Sequence, residues 1–154
     1  MRRGFIENLL PYYTQQKNKQ TGIFHVQKFV DYLSDGHIEQ VLQEMRSFFA
    51  DMPYELSDES ERHYQAVLYV IFTLIGCYTE AEYHTAVGRV DLVVKTPDYI
   101  YVMEFKFNGT AEDAMAQIEE KQYAAPFATD RRKVVKVAVN FSAETRNIDR
   151  WLIV

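Results

Sequence analysis

Two short strand-like runs carry residues that do not belong on an apolar surface: Gly88-Arg89-Val90-Asp91-Leu92-Val93-Val94, then Tyr101-Val102-Met103-Glu104-Phe105-Lys106. Along a strand, residues two apart share a face. Glu104 and Lys106 therefore point one way, while Met103, Phe105 and Phe107 point into the opposite, apolar side. An acid and a lysine on an otherwise hydrophobic central strand are costly to bury unless paired or bound to a metal. Asp91 is a similar anomaly on the preceding run. If Thr96-Pro97-Asp98 turns the chain, residues whose numbers sum to about 195 face each other, which sets Asp91 opposite Glu104. Two adjacent carboxylates make a site for a hard divalent cation such as magnesium. A lysine one pleat away can offset developing negative charge or hold a nucleophilic water. The rival reading is a purely structural Asp91–Lys106 salt bridge. The acid-x-Lys triplet alone decides nothing, because Glu119-Glu120-Lys121 repeats it inside a helix, where residues two apart do not share a face.

The elements that must position these residues follow from periodicity. Residues 1 to 20, polar and aromatic, read as loop. Val26, Phe29, Val30 and Leu33 have helical spacing within Ile23 to Leu33, and Gly36 ends that helix. A second helix runs from about His37 to Ala50, with Ile38, Val41, Leu42, Met45, Phe48 and Phe49 on one stripe, until Pro53 stops it. Asp58 and Glu61 form a capping-box-like start to the clearest helix, whose apolar stripe is Tyr64, Val67, Leu68, Ile71, Leu74 and Ile75, and Gly76 closes it. Three strands follow, Tyr78 to His84, Arg89 to Lys95 and Tyr99 to Phe107. Asn108-Gly109 breaks the third, and Thr110 caps a helix reaching about Tyr123. Val134 to Phe141 is a continuous apolar run, the pattern of a strand buried on both faces, and Ile148 to Val154 forms a last, shorter strand. Helix, three strands, helix, strand, strand is a mixed α/β sheet with a βαβ crossover. Residues 1–55 are expected to be a helical lead-in, the end of an upstream region, and 56–154 the domain proper.

Composition narrows the function classes. The 154 residues suit one domain, and no apolar run reaches the about 18 residues that span a membrane. Met1-Arg2-Arg3-Gly4-Phe5 lacks the apolar core of a signal peptide, and the single cysteine, Cys77, excludes an internal disulfide; both point to the cytoplasm. There is no Gly-rich phosphate loop, nucleophile elbow or paired-histidine zinc motif. The scattered His25, His37, His63 and His84 read as structural. The net charge of −5 argues against a sequence-independent DNA binder until it is divided along the chain. Residues 1–55 hold six bases against seven acids, 56–120 four against twelve, and 121–154 seven against three. The acidic block contains Glu61, Asp91 and Glu104, whose charge a divalent metal would partly neutralise. The basic block, with Lys121, Arg131, Arg132, Lys133, Lys136, Arg146 and Arg150, offers phosphate contacts or simply a solvated surface.

Taken in order, Glu61-Arg62-His63-Tyr64-Gln65, Gly88-Arg89-Val90-Asp91, Glu104-Phe105-Lys106, Gln117-Ile118-Glu119-Glu120-Lys121-Gln122-Tyr123 and Val137-Ala138-Val139-Asn140-Phe141-Ser142 resemble the PD-(D/E)XK nuclease superfamily. The resemblance is greatest to the bacterial branch found C-terminal to AAA-type ATPase-like domains, and covers residues 56–154. Val90 stands where the family name has proline, which leaves Asp91 intact. The resemblance implies a restriction-endonuclease-like core and a magnesium-dependent nuclease acting on DNA, with manganese able to substitute and RNA not excluded as substrate. Asp91, Glu104 and the Phe105 backbone carbonyl would bind the metal, Lys106 would position or activate the attacking water, and Glu61 would reach the metal directly or through water. Glu82 is a rival acid. Gln117, Lys121 and Tyr123 would support the site or touch phosphate; the alternative is a solvated helix face. An ATPase-like domain upstream or in trans is the implied partner. The rival function is a non-catalytic module binding DNA or that partner, with Phe29, Phe48 and Phe49 either as a docking surface or as ordinary core.

Overall fold

The computed structural model describes residues 19–52 and 60–154. Helices α1 (Lys19–Ser34), α2 (Ile38–Asp51) and α3 (Glu61–Ile75) lead into strands β1 (Glu80–Ala86), β2 (Arg89–Lys95) and β3 (Tyr99–Phe107). Helix α4 (Ala111–Glu120) and a 3-10 turn, Ala125–Phe127, then carry the chain to β4 (Lys133–Ser142) and β5 (Asn147–Ile153). The five strands lie in sequential order, antiparallel throughout except for the parallel β3–β4 pair that α4 bridges. This is the mixed α/β architecture expected, preceded by N-terminal helices.

The sheet has an apolar layer on each face, and alternation along the strands decides which side chains enter which. Val90, Leu92 and Val94 of β2, Tyr101, Met103 and Phe105 of β3, and Val137, Val139 and Phe141 of β4 pack with the buried stripes of α1, α2 and α3 in one cluster. The opposite face is smaller: Ile100, Val102 and Ala138 lie beneath Ala114 and Ile118 of α4. Phe29 and Phe49 are buried and the half-buried Phe48 packs against the same cluster, so Phe29 and Phe49 belong to the core. Tyr101, fully buried, ties the two ends of this arrangement together by donating its hydroxyl to the Leu33 carbonyl at 2.6 Å.

Several boundaries differ from expectation for local reasons. Ser60 is the N-cap of α3, its Oγ accepting from the His63 amide at 3.2 Å; Asp58 and the Pro53 stop lie outside the described residues. Lys19 and Gln20 already belong to α1, and the rest of the expected N-terminal loop is likewise outside them. Helix α4 stops at Glu120, not Tyr123, because Gln122 adopts φ 54° and the Tyr123 amide turns back to the Ile118 carbonyl. That left-handed exit folds Tyr123 against the smaller apolar cluster. Strand β1 begins at Glu80 instead of Tyr78, after a run of turn hydrogen bonds from Gly76 to Thr79 onto the end of α3.

Tyr101→Phe removes the shorter of two hydrogen bonds to the Leu33 carbonyl, leaving only the 3.4 Å bond from the Gly36 amide. It should lower unfolding free energy by about 1–3 kcal/mol in denaturant titration, without changing the slope of the transition.

Candidate active site

The hairpin register sets the site. β2 and β3 pair with Asp91 opposite Glu104 and Arg89 opposite Lys106, as the turn at Thr96-Pro97-Asp98 requires. All four side chains share the α4 face of the sheet. Across the next hairpin His84 lies opposite Asp91, and on the other side Asn140 of β4 lies beside Lys106. Helix α4 covers β3 and β4 on this face, whereas Glu80, Glu82 and His84 of β1 remain exposed. The carboxylates thus sit where the apolar cover ends.

Glu104 is the anomaly around which the site is organised. It is 0% exposed, and neither carboxyl oxygen has a hydrogen-bond donor. Asp91 Oδ1 is also buried without a partner. The nearest cations are poorly placed to compensate: Lys106 Nζ is 3.9 Å from Glu104 Oε2, and Arg89 Nε is 3.4 Å from Asp91 Oδ2. The ion pairs formed are therefore Lys106–Glu104 and Arg89–Asp91, not the Asp91–Lys106 bridge of the rival reading. Burial, and then the neighbouring Asp91 carboxyl, push Glu104 up to about 8, and Lys106 and Arg89 pull it only part of the way back. A proton held on Glu104 can be shared with Asp91, which is how two adjacent acids coexist in a dry site.

Two clamps fix the backbone around this pair. Asn140, 2% exposed, accepts from the Gly109 amide at 2.9 Å through Oδ1 and donates to Asp149 Oδ1 at 3.0 Å. It holds the entry to α4 against the stem of Lys106: a Cβ on Gly109 would lie 3.5 Å from Lys106 Cβ. On the other side of the sheet, Glu61 Oε2 accepts from the Gly88 amide at 2.6 Å and from Gln65 Nε2 at 3.0 Å. Gln65 also donates to the carbonyls of Ala86 and Arg89. The start of α3 thereby grips the β1–β2 turn. Glu61 and Lys106 border one small cavity of about 10 Å³ whose exposed wall is apolar.

The structure brings only some of the expected residues together. Asp91, Glu104 and Lys106 are brought together. Glu61 is engaged with the turn; among the described residues no three acidic, histidine or cysteine side chains converge on a point where a metal could be held. Gln117, half buried, and Lys121, exposed, lie on the flank of α4 away from Glu112 and Glu119, which pair with Arg150 and Lys136 of the far strands. At about 100° per residue that flank faces β2 and the open side of the site. Tyr123 packs beneath the end of the helix. The Phe105 ring is buried in the main core, between Phe72 and Phe141. Glu82, the rival acid, is exposed on edge strand β1. Of the basic block, Arg132, Lys136 and Arg150 are already ion-paired with Asp130, Glu119 and Glu112.

Three neighbours of the site were not foreseen. His84 could have been found by closing the Val87-Gly88 turn as the next one was closed, since numbers summing to 175 set it against Asp91, and Arg89 follows from the sum of 195 already used, which sets it against Lys106. Asn140 gave no signal, since its role depends on a parallel partner.

A family model for the PD-(D/E)XK nuclease superfamily matches residues 59–151. The chain belongs to this superfamily. Its sequence is also 28% identical over 114 residues to an uncharacterized protein in the vnfD 5′ region of Azotobacter chroococcum mcd 1; the match covers 70% of this chain and 22% of that protein. The chain thus spans about a fifth of that relative's length. No solved structure matches it. The match takes in Asp91, Glu104 and Lys106 and the helices and strands that carry them. No helix among the described residues is long and apolar enough to cross a membrane.

The raised Glu104 carboxyl has a measurable consequence. An unfolded chain releases this proton near the ordinary value of 4.5, whereas the native state retains it to about 8. Within that window the native state binds more protons, so this group's contribution makes stability fall as pH rises, and it levels off above the window. Glu104→Gln should remove this slope. Relative to wild type it should gain stability between pH 5 and 8, by on the order of a few kcal/mol, in thermal melts without metal.

Proposed function

We propose that this protein is a magnesium-dependent nuclease that hydrolyses phosphodiester bonds of DNA. The observation that carries the proposal is the pair of adjacent buried carboxyls, Asp91 and Glu104, with three oxygens lacking any donor, beside a lysine on the same face. An arrangement so costly to keep is understandable if a cation completes it. The donor set suits a hard ion: oxygens only, two side chains, and the rest of the shell left to water and substrate. The Phe105 carbonyl, between the two catalytic positions of β3, is the further protein ligand proposed. Manganese fits the same oxygen set.

When bound, the ion would supply Lewis-acid stabilisation of the scissile phosphate and a more acidic water. The chain's own residues do the rest. Asp91 and Glu104 hold the charge that attracts the ion, and Glu104 must first give up its proton. Lys106 presents an ammonium on the same face, able to orient the attacking water and offset charge developing on the phosphate oxygens. Glu61 fixes the turn that carries Arg89. Gln117 and Lys121, on the open flank of α4, are the proposed contacts to the nucleic-acid backbone, with Tyr123 supporting that flank from below. An ATPase-like domain, upstream or in trans, is the proposed partner; a relative several times longer than this chain leaves room for one.

Asp91→Ala and Lys106→Ala should each reduce magnesium-dependent cleavage by about a hundredfold or more, with melting temperatures within a few degrees of wild type. A screen over single-stranded, double-stranded and branched DNA and over RNA reads this out. Full activity in either variant overturns the assignment, and cleavage of RNA alone replaces DNA as substrate. Magnesium titration by calorimetry separates the rival module. A nuclease site should bind the ion with an affinity that climbs about tenfold per pH unit and levels off above pH about 8, as the Glu104 proton ceases to compete. No binding at any pH favours a non-catalytic module.

A further inference from the structure

Arg89 enters the site unannounced, and its geometry is unusual. It is half buried, shares the site face with Lys106 and points back at Asp91, yet its buried Nε has no hydrogen-bond acceptor and stands 3.4 Å from Asp91 Oδ2. The same molecule shows what a settled arginine–carboxylate pair looks like. Arg132 meets Asp130 as a fork, Nε to Oδ1 at 3.0 Å and Nη2 to Oδ2 at 2.9 Å. Arg89 makes no such fork with Asp91. Its backbone is nevertheless anchored, since the amide of the preceding Gly88 donates to Glu61 at 2.6 Å. A rigid base with a loosely engaged guanidinium is the construction of a side chain that has a second place to be.

The charge balance suggests where. Without a metal, the two carboxyls Asp91 and Glu104 are faced by two cations, Arg89 and Lys106, and both contacts are long. A divalent ion on the carboxyls would neutralise the acids and leave both cations without a counter-charge on a half-open face. A nucleic-acid phosphate supplies that counter-charge, and the guanidinium fork matches its oxygens in pairs. Building on the nuclease reading, we propose that Arg89 is a charge-exchange residue: it stands in for the cation at Asp91 in the metal-free protein and transfers to a backbone phosphate of the substrate when metal occupies the carboxyls. Metal and nucleic acid then bind with positive coupling, and by reciprocity each raises the affinity of the other by the same factor.

This assigns Arg89 opposite effects on the two ligands, which a merely structural arginine would not have. Arg89→Gln removes the internal competitor for Asp91 and also the phosphate fork. Calorimetric titration with calcium at pH about 9, where Glu104 is ionised, should show Arg89→Gln binding the ion severalfold more tightly than wild type. Fluorescence anisotropy with a labelled DNA duplex carrying a non-hydrolysable backbone, in calcium, should show it binding DNA about tenfold more weakly, with a salt slope shallower by about one. Arg89→Lys should recover the salt slope and only part of the affinity. In wild type, calcium should strengthen DNA binding, and this gain should shrink in Arg89→Gln. Loss of calcium and DNA affinity together in both variants overturns the proposal in favour of a structural role. Unchanged DNA affinity in Arg89→Gln overturns it while leaving the nuclease reading intact, whereas a wild-type protein that binds no calcium overturns both.

Discussion

Everything distinctive about this molecule depends on a carboxyl that has been taken out of water without being given a close counter-charge. Glu104 lies in the middle of β3, covered on its own face by α4 and backed on the other by the main core. A side chain there has no solvent to turn to, and the only neighbours that could answer it are another acid and two loosely held bases. Ordinary evolution of stability would replace it with a valine like its neighbour Val102. Its presence separates the roles of the two sheet faces. One face carries the large aromatic and aliphatic core that holds the fold together, and the smaller face tolerates charge because α4 covers only part of it.

The helices on the far face serve the site indirectly. The N-terminal turn of α3 does not supply a third acid to the carboxyl pair; it grips the β1–β2 turn through Glu61 and Gln65, so the strand carrying Asp91 is fixed from behind. Asn140 plays the equivalent part from β4, joining the α4 entry to β5 through Gly109 and Asp149. Both are short polar links across element boundaries in otherwise apolar surroundings. The site face is therefore stiff at its backbone and adaptable only in the long side chains of Arg89 and Lys106.

What could be read from the sequence follows from the range of the interactions concerned. The opposition of Asp91 and Glu104 was legible because a tight turn and strand alternation determine it without reference to the rest of the chain. The order of helices and strands was legible for the same reason. Ser60 in place of Asp58 as helix cap was not, since neighbouring polar residues offer competing local caps, nor was the left-handed Gln122 that ends α4 early, which goes with the packing of Tyr123. Phe29 and Phe49 have the pattern of either a core stripe or an exposed docking stripe; burial beneath the sheet resolves it. Arg89 was visible in the motif, but the looseness of its contact with Asp91 is a matter of tenths of an ångström that no pattern encodes.

The β2–β3 hairpin has one further consequence, for the order in which the molecule comes together. Both acids lie on a single local hairpin, so they become neighbours early, while still hydrated and at little cost. The parallel β4 and its bridging helix α4 arrive later, since they close a longer loop. Desolvation of Glu104 thus falls on the docking of α4, where burial of Ala114 and Ile118 against Ile100, Val102 and Ala138 must offset it.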